Sequence, residues 1–163
     1  MRQEVYDKMT GYIIENQSKF YRLAFSYAHN KEDALDIVQN AVCKALDHYE
    51  SLKNEDALKT WFYRILVNES NYFLKKSKRE TPAGEDAYIE IPYYEQGYEP
   101  SGDLYDEINQ LEPEVQNIIK LRFYEELSLK EIAEITDMNL NTVKAKLYRG
   151  LKLLKQNIEE ENL

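Results

Sequence analysis

The chain has 163 residues, 43% of them hydrophobic and 31% charged, a composition that suits a folded globular protein and excludes a disordered one. Five Gly and four Pro are too few for an all-β chain, and no apolar run approaches the ~20 residues of a membrane span. The net charge of −9 looks unsuited to a nucleic-acid binder, but its sum says less than its distribution along the chain.

The N-terminal MRQEVYDKMTGYII lacks the charged-then-apolar layout of a secretory leader, and Cys43 stands alone, which leaves no intrachain disulfide. A cytoplasmic location is expected. Val5, Met9, Tyr12 and Ile13, then Phe20, Leu23, Ala24 and Tyr27, recur at three- and four-residue spacing, which predicts helix. His29-Asn30 interrupts, and Lys31-Glu32-Asp33 opens the next helix with acids suited to its dipole. That helix carries Ala34, Ile37, Val38, Ala41, Val42, Ala45 and Leu46 on one face. The polar stretch 50–56 ends it. A further helix is predicted from about Ala57 to Lys76, with Leu58, Trp61, Phe62, Ile65, Leu66, Tyr72 and Phe73 as its apolar positions. Lys59, Arg64, Lys75, Lys76, Lys78 and Arg79 give it six bases against one acid, Glu69. Trp61 and Phe62 are expected in the core and Tyr63 at the surface. Pro82 and Gly84 then stop the helix.

Residues 81–102 hold three Pro, three Gly and four Tyr with no helical period, and are expected to form a linker between domains at 1–80 and 103–163. From Glu80 to Ile119 there are eleven acids and no base; outside that stretch 30 − 11 = 19 acids face 21 bases. The acidity belongs to the middle of the chain, and the flanks are free to meet an anion.

Helical spacing returns with Leu104, Ile108 and Leu111, and Pro113 suits the first position of the helix that follows, running to Tyr124. Ser128 with Glu131 forms a capping box, Thr136-Asp137-Met138 a turn, and Asn139 the cap of a last helix running to about Glu159. Two helices so joined make a helix-turn-helix. Val143, Leu147, Leu151 and Leu154 form the apolar back of the second, while Asn141, Lys144, Ala145, Tyr148, Arg149 and Lys152 face out, with five bases and no acid from 139 to 155. Such a helix suits a major groove: amides read base edges and cations meet phosphates. The fold class expected is all-α, two small helical domains on a flexible acidic linker. No enzyme site is expected, since no phosphate-binding Gly loop, His/Cys cluster or triad pattern is present, and no cofactor, metal or small-molecule substrate is expected.

The segments LSLKEIA at 127–133 and NTVKAKLYR at 141–149 resemble the −35 promoter reader of bacterial RNA polymerase sigma factors, and specifically the extracytoplasmic-function group. Asp137 and Ala145 depart from that group, which has Gly and Ser there. The resemblance implies −35 contacts from Asn141, Thr142, Lys144, Ala145, Lys146, Tyr148, Arg149 and Lys152. ALDIVQNAV at 34–42 is similar to the group's polymerase-docking helix, which implies contacts from Asp33, Asp36, Ile37, Gln39 and Asn40. TWFYRILVN at 60–68 is similar to its −10 segment, which implies contacts from Lys53, Asn54, Lys59, Tyr63, Arg64, Asn68, Lys75 and Lys76. The loop 50–56 occupies the place where the group captures a flipped base. Core RNA polymerase, promoter DNA and an anti-sigma factor, often membrane-anchored, are the partners implied. The alternative is a one-component DNA-binding regulator whose residues 1–80 sense a ligand or dimerise.

Overall fold

The computed structural model describes the backbone of residues 2–80 and 102–161, with side chains over 2–77 and 106–159. The expected linker lies outside the described residues except at Gly102. Every regular element described is helical, and the chain divides into two compact units, Met1–Pro92 and Tyr93–Leu163.

Unit 1 begins with α1 (Arg2–Glu15) and α2 (Gln17–Ala28). α2 ends where His29 takes a left-handed φ of 64° and its N–H returns to the Phe25 carbonyl at 2.9 Å. Asn30 then caps α3 (Lys31–His48), its side chain accepting from the Asp33 N–H at 2.8 Å. Two single turns, Tyr49–Ser51 and Glu55–Ala57, cross to α4 (Leu58–Glu80), which runs four residues beyond the predicted end. α2, α3 and α4 pack on one another. The buried face of α3 presents Ala34, Ala41 and Ala45 beside Ile37, and these short side chains let α2 and α4 come close. Phe20 of α2 is the centre of the core. It meets Tyr12 at 5.7 Å between ring centroids, Phe62 at 4.6 Å and Tyr63 at 5.4 Å.

Unit 2 holds α5 (Gly102–Asn109), α6 (Pro113–Ile119), α7 (Leu129–Thr136) and α8 (Leu140–Glu161). Pro113 stands in the first turn of α6, as its missing N–H favours. α6 widens into a π turn over Lys120–Tyr124, closed by the Glu125 N–H to the Lys120 carbonyl at 3.3 Å. Ser128 and Glu131 form both halves of the capping box on α7, at 3.1 and 2.9 Å. Asp137 ends α7 at φ 57°, and the Asn139 side chain accepts from the Asn141 N–H at 2.8 Å. α8 lies so close to α6 that a Cβ on Gly150 would sit 2.5 Å from Val115 Cγ1 and 3.1 Å from Ile119 Cδ1.

Lys120 is wholly buried in this unit. Its ammonium donates to Asn109 Oδ1 at 3.1 Å and Gln116 Oε1 at 3.3 Å, while Gln116 Nε2 donates to the Asn109 and Leu111 carbonyls. This network pins the end of α5 to α6. Withdrawal from water favours the neutral amine and pushes the Lys120 pKa down to about 7.

Candidate nucleic-acid interface

α8 sorts its residues cleanly by angle. Val143, Leu147, Gly150 and Leu154 are buried, at four-, three- and four-residue steps. Asn141, Thr142, Lys144, Ala145, Tyr148, Arg149 and Lys152 are exposed on the other side. Tyr148, 67% exposed, stands clear of the core edge. Lys146 departs from expectation. It lies about 140° around the helix from Asn141 by the 100° step, is partly buried, and pairs with Glu114 at 3.0 Å. Its charge is committed to α6 and turned from the face that Asn141, Ala145 and Lys152 form.

α4 presents a second basic stripe. Arg64, Asn68 and Tyr72 are exposed at four-residue spacing, and Lys75 and Lys76 extend the row. Glu69, the one acid on α4 from Lys59 to Arg79, is 5% exposed and forms an ion pair with Lys44 of α3. The only acid is thus removed from the surface, which sequence counting had no means to show. Lys59 is exposed too, but five residues before Arg64 places it about 140° away from the stripe.

The expected aromatic at this surface is Tyr63, and the structure overturns that expectation. Tyr63 is 3% exposed and packs edge-on against Phe20, whereas Tyr72 is 63% exposed. Nine residues at 100° each put the two rings on opposite sides of one helix. Phe62 is fully buried as expected; Trp61 is half-buried.

The loop entering α4 carries Lys53 and Asn54 at the surface, and Asn54 accepts from the Asp56 N–H at 3.0 Å. On α3, Asp36, Gln39 and Asn40 are exposed and Asp33 is half-buried. Ile37 is 2% exposed, so it supports this face from inside the bundle and offers a partner nothing directly. Leu35, 42% exposed beside Asp36 and Gln39, is an apolar surface residue that pattern reading passed over.

Comparison with known proteins gives the family of both halves of the chain. Residues 13–80 match the family Sigma-70 region 2, and residues 101–154 match Sigma-70 region 4. The chain is 42% identical to the RNA polymerase sigma factor SigV of Bacillus subtilis over 93% of this chain and 91% of that one. It is 28% identical to the ECF RNA polymerase sigma-E factor of Haemophilus influenzae, covering 90% and 85%. Two solved structures share the fold. The sigma factor RpoE of Bartonella quintana, in complex with the anti-sigma factor NepR, gives a TM-score of 0.74 at 23% identity, covering 92% of this chain and 96% of that one. CnrH in complex with the cytosolic domain of CnrY gives 0.69 at 15%, covering 98% and 97%. A region 2 match across residues 13–80 disfavours a sensing or dimerising domain there. The chain belongs to the RNA polymerase sigma factors, in the extracytoplasmic-function group, and is a transcription initiation factor.

Proposed function

We propose that unit 1 docks on core RNA polymerase and reads the −10 element while unit 2 reads the −35 element. The observation that carries this reading is the outer face of α8, where Asn141, Lys144, Arg149 and Lys152 stand exposed and no acid intervenes from 139 to 155. Cations there suit phosphates, and the exposure of Arg149 and Lys144 supports a role for them at base edges. In unit 1, Arg64, Asn68, Lys75 and Lys76 line the strand's path. Tyr72 takes the place at this surface that was expected of Tyr63 and stacks on a base, a contact worth ~1–3 kcal/mol. Asp33, Asp36, Gln39 and Asn40, with Leu35 among them, make the polymerase contact.

The factor works in the cytoplasm without chemistry of its own, and an anti-sigma factor, membrane-anchored as is frequent in the group, holds it inactive. A solved structure of the same fold is that of a sigma factor in complex with an anti-sigma factor, which supports that partner class. The test is transcription with core polymerase, with and without the chain. Promoter-specific transcripts are expected only with it. No transcript across a promoter library, together with no binding to core, would end the reading. Lys144→Ala with Arg149→Ala should cost ~1–3 kcal/mol at each bidentate base contact, read as loss of −35 affinity. Unchanged affinity for the double variant would mean that another face of unit 2 meets DNA.

A further inference from the structure

The loop between α3 and α4 has little core of its own. Leu52 is its single buried residue; Tyr49, Glu55 and Ala57 are half-buried and the rest of 49–57 is exposed. It carries three acids, Glu50, Glu55 and Asp56, against one base, Lys53. A loop so built is fixed weakly by burial and is repelled by a polyanion.

α1 supplies what the loop lacks. Its C-terminal half is anchored in the bundle by Met9 and Ile13, both buried, and by Tyr12 against Phe20. Its N-terminal half reaches the loop at three points. Arg2 Nη1 lies 3.4 Å from Glu50 Oε1, the Tyr6 ring meets Tyr49 edge-on at 5.4 Å, and the Lys8 ammonium forms an ion pair with Glu55. The hydrogen bond and charge of Glu55 also raise the Lys8 pKa. Two of the loop's three acids are thereby paired with one helix, and the loop's one aromatic, Tyr49, is held by that same helix.

We infer that α1 is a positioning strut for the α3–α4 loop, setting the conformation and charge with which that loop meets promoter DNA. Arg2, Tyr6 and Lys8 are accordingly specificity-determining residues at one remove: they touch the loop, and the loop touches the base. The inference rests on the proposed reading of the −10 element by unit 1, and extends it to this loop.

The test uses the full chain with core polymerase on a promoter library randomised at the −10 element, scoring base preference among transcripts. Asn54→Ala, in the loop itself, reports whether the loop reads the element at all. Lys8→Glu and Glu55→Lys each place like charges together and should each shift the preference by about threefold to fivefold. The double exchange, Lys8→Glu with Glu55→Lys, restores the opposite pair and should restore the preference. A merely structural role for α1 would change total transcript and leave base preference fixed. If Asn54→Ala shifts the preference and neither Lys8→Glu nor Glu55→Lys does, the strut is wrong. It is equally wrong if both shift it and the double exchange fails to restore it. If Asn54→Ala itself changes nothing, the loop does not read the element, and the strut falls with that reading.

Discussion

α4 and α8 are both long basic helices, of 23 and 22 residues, each with an exposed stripe and an apolar back, yet only α8 could be phased from its sequence. α8 rests on short helices and buries one narrow row, so its apolar spacing identifies its outer face. α4 is wedged between α2 and α3 and buries a wider arc that takes in Phe62, Tyr63, Leu66, Val67, Glu69 and Ser70. Over so wide an arc, residue type no longer decides what is inside. Phe20 of α2 lies against Phe62 and Tyr63 together, and that contact draws Tyr63 inward.

Exchanging the two tyrosines tests the comparison most sharply. Tyr63→Ala removes a buried ring and should cost ~3–5 kcal/mol of unit 1 stability, the range of large aromatic truncations. Urea denaturation followed by fluorescence of Trp61, the single Trp, measures it. Tyr72→Ala should leave that midpoint in place and lower promoter opening by ~1–3 kcal/mol. The reverse pattern would put the helix in the wrong rotational phase.

Lys120 distinguishes unit 2 in a different way, through pH. In the unfolded chain a Lys titrates near 10.4; in the fold, burial brings Lys120 to about 7. Between these values the unfolded chain binds more protons, so the stability of unit 2 rises with pH from about 7 upward. The slope is at most ~1.4 kcal/mol per pH unit, and it vanishes below pH 7, where both states are protonated. Lys120→Met should flatten that slope. Urea midpoints at several pH values, followed on α8 amide resonances, decide it; an unchanged slope would mean that the ammonium is solvated.

A smaller effect is expected at Glu126, which takes a left-handed φ of 54° between the π turn and α7. Glu126→Gly should stabilise unit 2 by up to ~1 kcal/mol, since Gly adopts that conformation without a Cβ clash. Asp137→Gly should gain less, because Asp tolerates the region better. Equal gains at both sites would contradict this ranking.

The pattern of success in sequence reading follows from range. Pro113, the Ser128–Glu131 box, the turn at Asp137 and the Asn139 cap act within four residues of themselves, and all were legible. Most of the exposed face of α8 was legible for the same reason, being the complement of one apolar row. What escaped depends on distant partners. Lys146 turns to Glu114, Glu69 to Lys44, and Lys120 to Asn109 and Gln116. A lysine within an apolar run reads as surface until the helix that covers it is known. The pairing of α1 with the loop likewise has no local signature.

The central claim is that two helices read two promoter elements independently. The direct measurement is transcription with core polymerase on a library in which the −10 and −35 elements vary separately, using Asn68→Ala and Lys144→Ala/Arg149→Ala, since an amide tells bases apart whereas a stacked ring such as Tyr72 holds any base alike. The account predicts that the α4 variant alters base preference only at −10 and the α8 variant only at −35. If either variant shifted preference at the other's element, or if both left the two preferences unchanged, the assignment of α4 and α8 would be contradicted.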